Sequence, residues 1–219
     1  MRLSDFRNLI SNMPVRAQAF TAKKINWESH LNSASPAGAV FQQIFGPHDE
    51  ITISRQDLRE HANSSRLDEF VVATILWGYP NGMRGNNVTR IVGRLAQLKD
   101  HLNQIARGRA VSDWQEHYQS VRAIGGVGLS TYTKLLAFLC VEVHGLPALI
   151  LDERIVRIIF DKRFEELQVL GDKSRYNPQD WYPEYLQCIN EVASSMNVSP
   201  ESIEFFLFEF GLNLKMSTT

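Results

Sequence analysis

The 219-residue sequence has little cysteine and no long apolar run. Its two cysteines, Cys140 and Cys188, lie far apart and outside any Cys-x-x-Cys pattern, so we expect neither a disulfide framework nor a cysteine metal site. The six histidines show no ligand spacing, and no metal or other cofactor is expected. No stretch is long and apolar enough for a membrane span, and no N-terminal apolar run with a cleavage site is visible. These features favour a cytoplasmic protein that does not act at a membrane.

The chain also lacks an overall excess of positive charge, since its formal net charge is −1. A general nucleic-acid-binding protein usually carries a clear basic excess. Residues 84–175, however, contain fourteen Lys and Arg against ten Asp and Glu. This imbalance is either chance variation of a mixed surface or a small basic footprint, whose binding to a polyanion would be strongly salt-dependent.

The hydrophobic pattern predicts an all-α protein. Residues 70–77 are apolar nearly all round, which is typical of a buried helix. Residues 129 to about 143 have helical spacing, and two further helices are predicted at about 183–196 and 200–210. Residues 51–53 are compatible with a brief strand, but no sheet is predicted from them.

Gly126, Val127 and Gly128 lie between two of the predicted helices. Two helices joined by a tight hairpin present unpaired backbone N–H groups at the start of the second helix. Such a helix start binds a phosphate without reading a particular base. Ser130 and Thr131 follow in the first turn, so this segment is a candidate DNA contact.

Asp152 begins the next predicted helix, in the sequence Leu-Asp-Glu-Arg-Ile-Val-Arg. The free N–H groups and the dipole of a helix N-terminus both favour an ionised carboxylate there. One interpretation is an ordinary N-cap with no chemical role. The other is a carboxylate that acts on nucleic acid bound at the hairpin, with Arg154 as a further DNA contact.

The hairpin and the Asp152 segment together resemble the helix-hairpin-helix DNA glycosylase superfamily, and most closely bacterial 8-oxoguanine-glycosylase-like proteins. The family has an apolar residue, often Pro, then Gly-Val-Gly, and later Asp-x-His/Arg-Ile/Val-x-Arg; here Gly125 replaces the Pro. The resemblance extends over about residues 66–160. It implies two helical subdomains flanking an active-site cleft, with the hairpin on one rim and Asp152 at its floor.

The resemblance divides the chain into three expected parts. Residues 1–65 form an N-terminal segment that packs with the C-terminal helices, and residues 66–165 form the helix-hairpin-helix catalytic core. Residues 166–219 complete the cleft. We expect a monomer that acts on double-stranded DNA.

The family resemblance implies that Asp152 drives base loss by stabilising positive charge on the sugar and by orienting water. Family members that also cut the DNA strand carry a lysine two residues after the last hairpin glycine, where this sequence has Ser130. A monofunctional enzyme is therefore expected. Lys134 lies one helical turn later on the same face, and it is either an amine nucleophile that gives lyase activity or a contact to a DNA phosphate.

The loop at residues 77–87 corresponds to the family's wedge, which fills the space left by an extruded base. Tyr79, Arg84, Asn86 and Asn87 supply an aromatic ring, a cation and two amides for this purpose. Tyr79 is also expected at the base pocket. The alternative interpretation is a plain surface turn.

The last predicted helix contains several aromatic residues, and similar glycosylases stack one such ring on the extruded base. Phe206 and Phe210 are the candidates here. The alternative is that both belong to the core, because so many aromatic side chains on one short helix are hard to leave in water.

The predicted function is a DNA N-glycosylase that flips a damaged or modified base and cleaves its N-glycosidic bond. Oxidised guanine is the default substrate, in base excision repair. One alternative is excision of a modified phage base, such as a glucosylated one, in anti-phage defence. An alternative of another class is a non-enzymatic helix-hairpin-helix module that only holds DNA.

Overall fold

The computed structural model describes residues 1–31, 36–64, 66–83 and 85–214. Helices make up most of this part of the chain, which confirms the predicted all-α class. The α-helices of the described residues are α1 (Arg7–Ser11), α2 (Glu28–Leu31), α3 (Pro36–Phe45), α4 (Arg55–Asn63), α5 (Leu67–Gly78), α6 (Asn87–Gly93), α7 (Leu95–Gly108), α8 (Trp114–Ile124), α9 (Leu129–Phe138), α10 (Glu153–Phe160), α11 (Tyr182–Met196) and α12 (Pro200–Phe210). Short 3₁₀ helices occur at Leu3–Phe6, Val15–Ala17, Lys24–Trp27, Glu165–Leu170 and Pro178–Trp181. None of these helices is long and apolar enough to cross a membrane.

A two-stranded sheet lies in the N-terminal part of the chain. β1 (Ala19–Lys23) pairs antiparallel with β2 (Glu50–Ser54), with Thr21 opposite Thr52. The sequence indicated only the three middle residues of β2 and gave no sign of its partner. The reason is that β1 buries a single side chain, Ala22, so its sequence lacks the apolar alternation that marks a half-buried strand.

α5 is the central helix of the fold. Every residue of the 70–77 segment is buried, as its apolar composition predicts. The helix contacts α3, α4 and α9. Because α5 is enclosed on several sides, its C-terminal residues, Trp77 and Gly78, are held firmly where the chain turns into the following loop.

The second hairpin helix is shorter than its sequence suggests. The Asp113 side chain caps α8 by accepting a hydrogen bond from the Glu116 N–H at 2.9 Å. α9 ends at Phe138 and not near residue 143, because Cys140 adopts a left-handed backbone conformation with φ of 54° and reverses the chain. Residues after this turn contribute two strands to a small second sheet, in which β4 (Glu142–Val143) lies between β3 (Ala110–Val111), from before α8, and β5 (Leu146–Pro147).

The two ends of the described chain pack against each other. The Arg7 Nε donates a hydrogen bond to the Met196 carbonyl at 2.6 Å, and the rings of Phe6 and Phe206 lie 5.2 Å apart. The Leu3 N–H donates to the Glu166 carboxylate at 2.9 Å. These contacts join the N-terminal segment to the C-terminal helices, while the boundaries at residues 65 and 165 stay a prediction.

Candidate active site

The hairpin turn depends on its glycines. Gly126 has φ of 84°, a conformation that side chains other than glycine rarely adopt. A Cβ at this position would also lie 2.8 Å from the Asn87 carbonyl oxygen. Val127 points into the core and is only 4% exposed, while Gly128 is the N-cap of α9. The turn is thereby fixed against α6, and the first N–H groups of α9 have no carbonyl partner within their own helix.

A groove of about 420 Å³ lies between the hairpin and the loop after α5. We call it the hairpin groove. Its walls include many of the residues predicted to contact DNA: Tyr79, Asn87, Gly126, Gly128, Ser130 and Thr131. The Tyr79 hydroxyl and the Thr131 Oγ1 are 2.9 Å apart in a hydrogen bond that joins the two walls. Asn86 is exposed and does not line this groove, and Arg84 lies outside the described residues.

Asp152 is the N-cap of α10, as the sequence predicts. Its Oδ1 accepts hydrogen bonds from the backbone N–H groups of Arg154 at 3.0 Å and Ile155 at 3.1 Å. Within the described chain Oδ2 receives no hydrogen bond, and the residue is half-buried. One oxygen therefore orients the carboxylate and the other is available to a bound molecule.

That carboxylate lines a pocket of about 210 Å³, which we call the Asp152 pocket. Three aromatic side chains, four charged groups and three small or aliphatic residues form its wall. They are Phe20, Trp77, Phe208, Arg55, Lys134, Asp152, Glu204, Gly78, Pro80 and Ile150. An aromatic-walled cavity with a few oriented polar groups is the usual form of a small-molecule binding site.

Lys134 enters the same pocket from α9. It is only 5% exposed, and its Nζ donates hydrogen bonds to the Ser130 Oγ at 2.6 Å and the Ser130 carbonyl at 3.3 Å. Because helical side chains lean toward the N-terminus, this amine reaches back by one turn to the level of Ser130. Its ammonium also lies 5.7 Å from the centre of the Tyr79 ring.

A sequence model of one protein family matches residues 13–208, and the family is described as "OGG: Putative 8-oxoguanine DNA glycosylase OGG-like protein". The chain belongs to this family. The match extends well beyond residues 66–160, the stretch over which the sequence motifs resemble the superfamily. No curated protein and no solved structure matches the chain.

The family match includes Arg55 and Glu204, two pocket residues that the sequence analysis did not identify. Glu204 accepts hydrogen bonds from the Arg55 Nη1 at 3.0 Å and Nη2 at 2.9 Å, and each residue is 1% exposed. Burial raises the pKa of Glu204, and the guanidinium acts in the opposite direction. Burial alone would lower the pKa of Arg55, but the charge of Glu204 raises it. A charged residue within the apolar run of α12 was the only sequence signal for this pair.

The structure also distinguishes between the aromatic residues of α12. Phe206 is fully buried in the core, and Phe210 is exposed; neither lines the Asp152 pocket. Phe208, which the sequence analysis passed over, forms part of the pocket wall. The Arg154 guanidinium lies 4.7 Å from the centre of the Phe208 ring, and its buried Nε has no hydrogen-bond partner in the described structure. Arg154 is thus placed at the side of the pocket, two residues after Asp152 in sequence.

No group of three or more His, Cys, Asp or Glu side chains suited to a metal ion is found among the described residues. The two cysteines are both free, with Cys140 exposed and Cys188 buried.

Proposed function

We propose that this protein is a DNA N-glycosylase that receives an extruded base in the Asp152 pocket and cleaves its N-glycosidic bond. The observation that carries the proposal is the Asp152 carboxylate, capped through Oδ1 and open through Oδ2, at an aromatic-walled pocket. The family to which the chain belongs is consistent with this reaction.

The hairpin groove supplies the grip on DNA in this proposal. The first N–H groups of α9, after Gly126, Val127 and Gly128, bind a backbone phosphate near the extruded nucleotide. Ser130 and the exposed Asn87, which both line the groove, offer side-chain contacts, whereas Thr131 is buried and bound to Tyr79. This small footprint fits a chain of net charge −1, whose hold on DNA must be local.

Extrusion of the base is required because its glycosidic bond is not accessible within the stacked duplex. The loop that follows α5 supports this step, since Tyr79 and Met83 line the hairpin groove while Gly78 and Pro80 of the same segment line the Asp152 pocket. Asn86 is exposed at the start of α6 and is available to the unpaired partner base. Arg154, which lies against the Phe208 ring of the pocket wall, is a further contact to DNA in this proposal.

Asp152 acts on the sugar. As the C1′–N bond breaks, its electron pair leaves with the base and positive charge develops on C1′ and the ring oxygen. A carboxylate held at that position stabilises this charge and orients the attacking nucleophile. The helix N–H groups on Oδ1 keep the carboxylate in place while Oδ2 faces the reaction.

Lys134 supplies a lyase step in this proposal. Its neutral amine attacks C1′, the glycosidic electron pair leaves with the base, and opening of the sugar ring gives an imine that borohydride reduces. The burial of Lys134 in the Asp152 pocket supports this role over that of a surface phosphate contact. Oxidised guanine is the proposed substrate, because the family description names it.

Base release from a duplex panel tests the proposal. The panel contains 8-oxoguanine, uracil, alkylated bases and glucosylated hydroxymethylcytosine, and each duplex is incubated with wild type and with Asp152→Asn. Asparagine retains the cap acceptor, so the variant loses the charge and not the helix start. We expect release of one base by wild type and a loss of about 10²–10³-fold in the variant.

The same assay separates the competing functions. Release of the glucosylated base alone would replace oxidised guanine as the substrate and favour the defence role. Duplex binding with no release from any member of the panel would refute the enzyme and leave a DNA-binding module.

A further inference from the structure

Ser130 lies between the two cavities of the candidate site. Its side chain belongs to the wall of the hairpin groove, whereas its hydrogen-bond partner Lys134 lines the Asp152 pocket. The two side chains are joined by the 2.6 Å contact between Nζ and Oγ. Ser130 is half-exposed and Lys134 is buried, so the contact runs from the protein interior to the solvent side.

The surroundings of the Lys134 amine offer it few other partners. Its Nζ donates to the hydroxyl and carbonyl oxygens of Ser130, and the centre of the Tyr79 ring is 5.7 Å away. No carboxylate oxygen of the described chain lies within 4.0 Å of Nζ. The other charged groups of the pocket are Asp152, Arg55 and Glu204, and the last two bind each other.

The stem of Lys134 is confined by Gly78. A methyl group at position 78 would lie 3.1 Å from the Lys134 Cδ and 3.2 Å from its Cε, which is closer than ordinary contact. The absence of a side chain at the end of α5 therefore leaves a slot for the lysine. With the stem enclosed, the position of Nζ is set by its hydrogen bonds to Ser130.

We propose that Ser130 is a positioning residue for Lys134, which holds the amine at the pocket and carries its proton to the hairpin groove. This inference rests on the proposed function, in which Lys134 attacks C1′. The ammonium must lose one proton before its nitrogen has a lone pair for that attack. Nζ–H donates to Oγ, and the serine O–H in turn donates to water in the groove. Transfer along this line leaves a neutral amine, an intact serine hydroxyl and a hydronium ion in solvent, with no change in oxidation state.

The test compares Ser130→Ala, Ser130→Thr and a matched control, Ser120→Ala. Ser120 is an exposed helical serine whose hydroxyl donates to the Glu116 carbonyl, and it lies outside both cavities. Two rates are measured on the duplex whose base the wild type releases. They are the rate of base release and the rate at which the borohydride-trapped adduct forms. Alanine is a good helix former, so Ser130→Ala is expected to fold.

We expect Ser130→Ala to slow adduct formation at least about tenfold, a conservative part of the range for assisted proton transfer. In this variant, water oriented by Asp152 replaces the amine as the nucleophile in part of the turnovers. Base release therefore falls less than adduct formation, and the ratio of adduct to released base drops. Ser130→Thr restores the ratio because it returns the hydroxyl, and Ser120→Ala behaves as wild type. A role in helix stability alone would not change this ratio.

Two results overturn the proposal. In the first, Ser130→Ala keeps the wild-type ratio. In the second, release and trapping fall together with duplex binding, which would make Ser130 only a DNA contact. Wild type that releases no base would instead refute the proposed function, and the inference with it, so the two failures are distinguishable.

Discussion

The buried ion pair between Arg55 and Glu204 gives the sharpest prediction for stability. Replacement of Arg55 by methionine removes both hydrogen bonds to the Glu204 carboxylate. No other described residue donates a hydrogen bond to this carboxylate. Removal of one partner from a buried pair costs about 3–5 kcal/mol, because an uncompensated charge stays in the interior. Stabilities of domains are about 5–15 kcal/mol, so this loss is a large share of the total.

The two single variants are not equivalent. Glu204→Gln leaves Arg55 with its 2.6 Å hydrogen bond to Gln18 and its 3.5 Å contact to Glu201. We therefore expect Glu204→Gln to cost less than Arg55→Met. The double variant Arg55→Met with Glu204→Gln removes both charges, and it should recover about 0.5–3 kcal/mol relative to the sum of the separate replacements.

The stability lost in Arg55→Met should also depend on pH. Burial raises the pKa of Glu204, and in Arg55→Met the opposing guanidinium is gone. A carboxyl group whose pKa is higher in the folded than in the unfolded state costs no stability below the unfolded pKa. It costs progressively more as pH rises toward the folded pKa. The deficit of Arg55→Met is thus largest at neutral pH and shrinks on acidification.

Urea unfolding of wild type, both single variants and the double variant at pH 7 and pH 5 measures these quantities. A deficit below about 1 kcal/mol, no larger than that of an exposed ion pair, would refute the reasoning. The reasoning would also be refuted if the free-energy losses of the two single variants simply added up in the double variant. A deficit of Arg55→Met that is the same at both pH values would refute it as well.

Three further replacements test other parts of the site. Asp152→Ala removes the cap of α10 and should lower the free energy of unfolding by about 1 kcal/mol, whereas Asp152→Asn should leave it nearly unchanged in the same denaturation assay. Gly126→Ala places a methyl group 2.8 Å from the Asn87 carbonyl at φ of 84°, so we expect it to lower both the melting temperature and duplex affinity measured by fluorescence anisotropy. Phe208→Ala should weaken the catalytic complex by about 1–3 kcal/mol through loss of stacking, measured as kcat/KM, while Phe210→Ala should not.

The local features of the site could be predicted from sequence. A Gly-Val-Gly turn between helices and an Asp before an apolar helix specify backbone geometry, and the structure shows the hairpin and the Asp152 cap where the sequence indicates them. The buried helix α5 follows equally from its composition. Each of these depends on interactions within a few residues of the chain.

The remaining pocket residues depend on contacts between distant segments. Glu204 binds Arg55 across 149 positions, and Phe20 enters the wall from β1, a strand without a clear sequence pattern. The choice of Phe208 over Phe206 and Phe210 depends on how α12 is rotated against its neighbours. All three rings share one apolar run, so the spacing within the run does not determine which of them faces the cavity.

The four charged groups of the Asp152 pocket differ in their hydrogen-bond partners: two bind each other, and two are bound by neutral groups. Arg55 and Glu204 are joined bidentately and are almost wholly buried, so their charges largely cancel each other. Asp152 and Lys134 are held by neutral groups instead, namely helix N–H groups and Ser130. In the proposed reaction positive charge develops on the sugar, and the carboxylate that can respond is the one without a bound cation. The ion pair at Glu204 therefore leaves Asp152 as the acidic group that stabilises the transition state in the proposed reaction.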